Sequence, residues 1–204
     1  MKKKYELTNE SIDHEGVKLY RIKALRDFTD VKKGDLGGFI EKEANLSHEG
    51  NSWVYDDAKV FHDASVYGNA RVFDRAQVYG KACIYGNARV FGDAEVFDHA
   101  QVFGGADVFG NARVFDGAEV FDRAWVYGKA CVYGNARVFD EADISDNAQV
   151  YAKAFVYGNA RVFDEAEVFG NARVYSVAEV SGNAMVFDDA RVYGFVCGDT
   201  NINK

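Results

Sequence analysis

The sequence predicts an all-β protein: a three-sided parallel β-solenoid with a small N-terminal β-hairpin over one end. Two observations carry this. Every sixth residue from Val54 to Val192 is aliphatic, 24 positions with Ile only at Ile84 and Ile144, and every sixth residue from Ala58 to Ala190 is Ala, 23 positions without exception. Apolar residues of a helix recur at spacings of three and four, so a strict period of six excludes one.

Each hexad reads aliphatic, aromatic, Gly or Asp, polar, Ala, variable. Alternate side chains of a strand share a face. The Ala and the next aliphatic residue are two apart and point inward together; the variable residue between them and the following aromatic point out. The two remaining positions turn the chain. Pairs such as Gly68-Asn69, Asp98-His99 and Asp116-Gly117 suit that task, because these residue types tolerate positive φ or bond their own backbone. A lone hexad buries little, so stability must come from stacking. Three hexads per turn give 24/3 = 8 turns, a rod roughly 38 Å long at about 4.8 Å per turn. Gly-Asn-Ala-Arg recurs at Gly86, Gly110, Gly134 and Gly158, a spacing of four hexads that would instead suit four sides.

The best copies of the phrase, Val66-Tyr67-Gly68-Asn69-Ala70-Arg71 and Val132-Tyr133-Gly134-Asn135-Ala136-Arg137, resemble the hexapeptide-repeat proteins, and the resemblance covers about 140 of 204 residues. It implies a left-handed parallel β-helix, a handedness the spacing does not give and one opposite to the general rule for parallel crossovers. Within that family the chain resembles bacterial and phage proteins with Tyr-Gly-Asn-Ala repeats, often labelled transferases, which share a segment like Gly34-Asp35-Leu36-Gly37-Gly38.

The elements follow in order. Residues 1–38 lack the repeat; Tyr5-Glu6-Leu7-Thr8 and Val17-Lys18-Leu19-Tyr20-Arg21-Ile22 alternate and are joined by residues 11–16, which predicts the hairpin. Its expected task is to cover strand edges and lining that a solenoid end would expose. Residues 39–53 form an irregular first coil, with Val54 eight positions after Leu46 instead of six, a two-residue insertion. Residues 54–197 are the solenoid and 198–204 a polar tail. No apolar run is long enough to span a bilayer and no signal-peptide core follows Met1, so a soluble cytoplasmic protein is expected, without membrane contact. Cys83, Cys131 and Cys197 fall on different faces of a three-hexad coil, and reduced thiols are expected.

Residues 1–53 carry ten basic and ten acidic side chains and residues 54–197 carry 13 and 21, so the rod holds the net charge of −8. Phosphate binding wants a basic face, so nucleic acid is not an expected partner.

On three-hexad coils the aromatic position forms three ladders. One runs Phe61, Tyr79, Phe97, Phe115, Tyr133, Tyr151, Phe169, Phe187, and a second Tyr67, Tyr85, Phe103, Phe121, Phe139, Tyr157, Tyr175, Tyr193. The third starts at Tyr55 and is interrupted by Ser145 and Ser181. Such stacks stabilise coils by themselves. Contiguous exposed apolar stripes also mark interfaces, which makes Phe97, Phe115, Tyr133 and Tyr151 on one face, and Phe103, Phe121, Phe139 and Tyr157 on the next, the candidate interaction surface.

Catalysis finds little support. Hexapeptide-repeat enzymes are mostly acyltransferases, and the resemblance implies that activity needs a loop leaving the coil, a framed histidine and a site between subunits of a trimer. This rod has no insertion within its 23 complete hexads. His62 and His99 are weak catalytic candidates, both corner residues on one edge and two coils apart, with no third histidine to complete a zinc site. No metal, cofactor or small-molecule substrate is expected. The stretch from Phe73 to Val90 recurs from Phe121 to Val138, an offset of eight hexads that moves the copy to another face; growth of that kind lengthens a rod but scrambles a grooved site. The expected function is a non-enzymatic scaffold or protein-interaction module, self-associating as a dimer or trimer or binding another protein. Two alternatives stand beside it: an acidic protein, phage-encoded in one version, that occupies a partner's basic site, and an acyltransferase-like protein.

Overall fold

The computed structural model describes residues 3–204. Strand pairs such as Arg71–Val72, Arg89–Val90 and Asp107–Val108 lie side by side in parallel register, each three hexads from the next. That register rules out four sides. The chain passes repeatedly across three sheets of 12, 9 and 8 strands. The first face runs from Lys59–Val60 to Met185–Val186, the second from Ser65–Val66 to Arg191–Val192, and the third from Trp53–Val54 to Phe195–Val196. Hydrogen bonds between turns point along the axis: the amides of Trp53 and Tyr55 donate to the carbonyls of Ala70 and Val72 at 3.1 and 2.8 Å.

The interior is one column. Every repeat Val, Ile and Ala between Val54 and Ala190 is buried, and together they make a single continuous cluster. Burying one Val side chain contributes roughly 1.5–3 kcal/mol, which the column repeats at every strand. Between strands, the first turn residue is left-handed. Glycine fills it at Gly86, φ 69°, and a Cβ there would stand 2.9 Å from the amide nitrogen of Gly104 in the next turn. Asp fills it elsewhere, with a compensation: the carboxylates of Asp74, Asp116, Asp140 and Asp164 accept hydrogen bonds from the backbone amides of Gly92, Gly134, Gly158 and Gly182, at 3.0–3.1 Å. The side chain thus satisfies a turn amide one coil on, a cross-coil counterpart of the local bonds Asp makes in turns. Ala152, φ 59°, has the same backbone without that bond.

At the N-terminus, β1 (Tyr5–His14) and β2 (Val17–Ala24) pair antiparallel around Glu15-Gly16, a tighter connection than residues 11–16. β3 (Leu36–Ile40) pairs antiparallel with β2 and parallel with Lys59–Val60, so the hairpin extends the first sheet and β3 crosses the boundary expected at residue 38. The glycines of Gly37-Gly38 answer to space: a Cβ on Gly38 would lie 2.5 Å from the Ala58 carbonyl oxygen, and one on Gly37 2.5 Å from that of Val54. Tyr5, Phe28, Val31 and Trp53 pack against the lining. Ile40 pairs with Val60 and Leu46 with Val66, each offset two positions longer than three hexads, which locates the insertion before Trp53.

The C-terminal end corrects two expectations. Phe195–Val196 pairs with Glu179–Val180 and Asn201–Ile202 with Met185–Val186, both offsets two positions short of three hexads. The turn at Gly194 is shortened by that amount, and the expected polar tail from 198 contains another strand, with Thr200 standing where Ala repeats. Counted by sixes from Val192, Cys197 would take the variable position; the shortened turn places it after Val196, at the aromatic position. These partial turns at both ends bring the rod to about nine turns instead of eight. No helix among the described residues is long and apolar enough to cross a membrane.

Candidate interaction faces

On the first face the rings of Phe97, Phe115, Tyr133 and Tyr151 stack at centroid spacings of 4.8–4.9 Å. On the second, Phe103, Phe121, Phe139 and Tyr157 stack at 4.8–5.0 Å. Planes deviate from parallel by 5° at most. The spacing is that of neighbouring strands, so each ring shows solvent its edge and buries its faces against the rings above and below. Tyrosines extend this by reaching one turn on: the Tyr133 hydroxyl donates to Gln149 Oε1 at 3.2 Å and that of Tyr151 to Glu167 Oε2 at 2.9 Å. Burial, then this bond to Glu167, pushes the Tyr151 phenol well above its usual range.

Arginines lie across the stacks. The Arg113 guanidinium is 5.1 Å from the Phe97 centroid and 5.4 Å from that of Phe115, and Arg137 is 5.2 Å from Phe121. Each also meets the acid one turn below, Arg113 with Glu95 at 3.2 Å and Arg137 with Glu119 at 2.8 Å. Exposed pairs of this kind contribute little individually. Their effect is to lay the arginine side chains along the stacked ring edges, where their aliphatic stems cover apolar surface.

The hairpin changes what each face can offer. Its Ile12, Val17 and Leu19 pack with Phe39 on Phe61 and Tyr79, and His14 Nε2 lies 2.8 Å from Gln77 Oε1. The first two rungs of the first face are thereby covered, a coverage the alternation of β1 and β2 did not signal. The uncovered part begins at Phe97. On the second face the ladder is open from Tyr67 onward.

His62 and His99 stand where the corner pattern puts them, both exposed. Their contacts are structural: the His62 amide donates to Glu41 Oε2 at 2.5 Å and its ring meets Phe61 edge-on, and the His99 amide donates to the Asp116 carbonyl at 2.8 Å. Among the described residues no group of three or more His, Cys, Asp or Glu side chains is placed to hold a metal ion. Cys83, Cys131 and Cys197 are free thiols.

Two features depart from the repeat pattern. The first is a buried polar knot under the hairpin: Lys4 Nζ donates to the Ser52 carbonyl at 2.7 Å and to Ser52 Oγ at 3.2 Å, the Tyr5 hydroxyl donates to the Leu46 carbonyl at 2.8 Å, and the His48 ring stacks on Tyr5 at 4.3 Å. Burial, and secondarily the charge of Arg26, lowers the Lys4 ammonium to about 8. No local pattern marks a lysine for burial. The second is Trp125 on the third face, half-exposed beside a shallow groove of about 450 Å³ whose lining includes Gly105, Asp107, Arg123, Glu141 and Asp143. Its signal was present, since Trp125 is a lone indole in a row otherwise made of charged residues from Arg71 to Glu179.

The chain is a hexapeptide-repeat-like β-solenoid protein. Residues 82–98 and 178–194 match the YdcK beta solenoid repeat family. A segment is 42% identical over 62 residues to the protein of Escherichia coli (strain K12) named "Uncharacterized acetyltransferase YdcK", covering 26% of this chain. The chain spans only 19% of the length of that relative.

Proposed function

We propose that the protein is a non-enzymatic scaffold of the cytoplasm that associates laterally through its ladder faces, with Phe97, Phe115, Tyr133 and Tyr151 on one side and Phe103, Phe121, Phe139 and Tyr157 on the other. One observation carries the reading: both ladders continue from turn to turn with no loop leaving the coil between Trp53 and Val192. A flat, repetitive, half-apolar face suits a partner with the same repeat, and a second copy of this chain has it. The hairpin on Phe61 and Tyr79 would set where such a partner can begin.

The experiment is multi-angle light scattering on the wild type and on two double variants, Phe97→Ser with Phe115→Ser and Phe103→Ser with Phe121→Ser. The expected outcome is a wild-type oligomer that at least one double variant converts to monomer while keeping its β circular dichroism. A wild type that is monomeric at high concentration, or an oligomer that both double variants leave intact, refutes the lateral mode.

A second reading, an acetyltransferase, is favoured by the name of the Escherichia coli relative. Transfer from acetyl-coenzyme A that disappears in His62→Ala or His99→Ala would establish it in place of the scaffold; the scaffold reading expects no turnover in the wild type.

A further inference from the structure

The outward variable row of the third face reads Arg71, Arg89, Asp107, Trp125, Asp143, Arg161, Glu179, each one turn above the last. Its charges are nearly all spoken for. Arg71 meets Asp30 at 3.2 Å, Arg89 clasps Asp107 through two nitrogens, and Arg161 meets Glu179 at 3.3 Å while lying 5.1 Å from the Phe163 ring centroid. Two neighbours remain. Asp143 has no cation within salt-bridge distance among the described residues and receives only the Tyr127 hydroxyl at 3.4 Å. Trp125, paired with it in register, is 50% exposed, whereas Trp53 is 1% exposed.

The surroundings leave room at that spot. The corner beside it is Gly104-Gly105, the one corner of the rod with two glycines and no side chain to fill the space. Arg123, which also lines the groove, is already engaged by Glu141. The groove's two arginines are thus balanced by Asp107 and Glu141, and the charge of Asp143 is left over. Burial raises the Asp143 carboxyl above its ordinary value, against the opposing pull of the Tyr127 hydroxyl and the more distant charge of Arg161.

We propose that Trp125 and Asp143 form a receptor for the cationic side chain, arginine foremost, of a basic protein segment. Indole is the aromatic face that best attracts a cation. A guanidinium is planar, weakly hydrated and able to stack on a ring while its edge pairs with a carboxylate. Trp125 and Asp143, paired in register on adjacent turns, offer a ring and a carboxylate side by side. This assignment rests on the interaction-module reading and gives it a partner class, through a face separate from the two unbroken ladders.

The test titrates the full-length protein with a hexa-arginine peptide, using tryptophan fluorescence and calorimetry, with hexaglutamine and an N-acetylglucosamine oligosaccharide as comparisons. Saturable binding of hexa-arginine is expected, with no response to hexaglutamine or the sugar. Trp125→Ala and Asp143→Asn should each weaken it by about ten-fold, Trp125→Phe by less, and Asp93→Asn, at a distant corner, not at all. No binding, binding that Trp125→Ala and Asp143→Asn leave unchanged, or binding of the sugar in place of the peptide would each overturn the proposal. Light scattering on the ladder variants separates this failure from that of the scaffold reading, because Trp125 lies outside both ladders.

Discussion

Val120 offers the most direct test of the architecture. It sits mid-rod, fully buried, in register with Val102 and Val138 and flanked along the chain by the buried Ala118 and Ala124. Replacing it with Asp removes roughly 1.5–3 kcal/mol of burial and leaves a carboxyl without a partner, at a further cost of about 1–3 kcal/mol. The sum is roughly 2.5–6 kcal/mol with the carboxyl protonated, and at about 2–4 °C per kcal/mol for a chain of this size the midpoint should fall by about 5–24 °C near pH 4, and further at pH 7. The loss should shrink in acid. The unfolded carboxyl ionises near pH 4 whereas the buried one resists ionisation, so stability falls as pH rises above about 4. Thermal and urea unfolding followed by circular dichroism at pH 4 and 7 measures both effects. The control is the neighbouring outward residue: Glu119→Val loses the 2.8 Å pair with Arg137 and should cost no more than about 1 kcal/mol. A one-residue error in register exchanges the faces of a strand. A sensitive Glu119→Val with an indifferent Val120→Asp would therefore refute the inward assignment.

Two further outcomes are expected from particular residues. Ala152→Gly should stabilise by about 0.5–1 kcal/mol, because a left-handed residue with a Cβ costs roughly 1–2 kcal/mol and glycine returns only part of that as entropy; a lower melting temperature would contradict it. Lys4 sits at about 8 in the folded chain and near 10.4 when unfolded. The unfolded state then binds more protons at Lys4 between those values, so the stability of the wild type relative to Lys4→Met should grow from about pH 8 to 10, on top of the loss both share as the tyrosines of the unfolded chain ionise near pH 10. Urea midpoints across that range check it, and a parallel pair of curves would remove Lys4 as the cause.

How much was legible follows from where the repeat is strict. Val54 to Val192 declares its lining, its three-hexad register and its ladders because each hexad meets copies of itself above and below, so local pattern and tertiary contact coincide. The Arg113–Glu95 and Arg137–Glu119 pairs could be read off the same spacing. The ends could not. At Gly194 the turn shortens, and counting by sixes then misplaces Cys197 and hides the strand at Asn201–Ile202. Val196 and Ile202, six apart, were the remaining signal. Under the hairpin, Lys4 meets His48 and Ser52 from the far side of three strands, and no periodicity carries such a contact. Trp125 was visible as a residue, but the unpaired state of Asp143 needed the side-chain geometry of Arg161, which turns to Glu179 instead.

The hydrogen bonds between turns have a mechanical consequence. They run along the rod axis, from the amides of Trp53 and Tyr55 to those of Arg173 and Tyr175. Tension applied to the two termini therefore loads the terminal turn alone, which can peel away without disturbing the turns behind it. Each turn of three hexads releases up to about 60 Å of extended chain, and the next turn then presents an equivalent edge. Compression or bending instead loads many turns together, through ring stacks and valine column alike. The rod should resist buckling far better than unravelling, with the hairpin, tied down by Lys4 and the close approach at Gly38, as the clamp that makes one end harder to peel than the other.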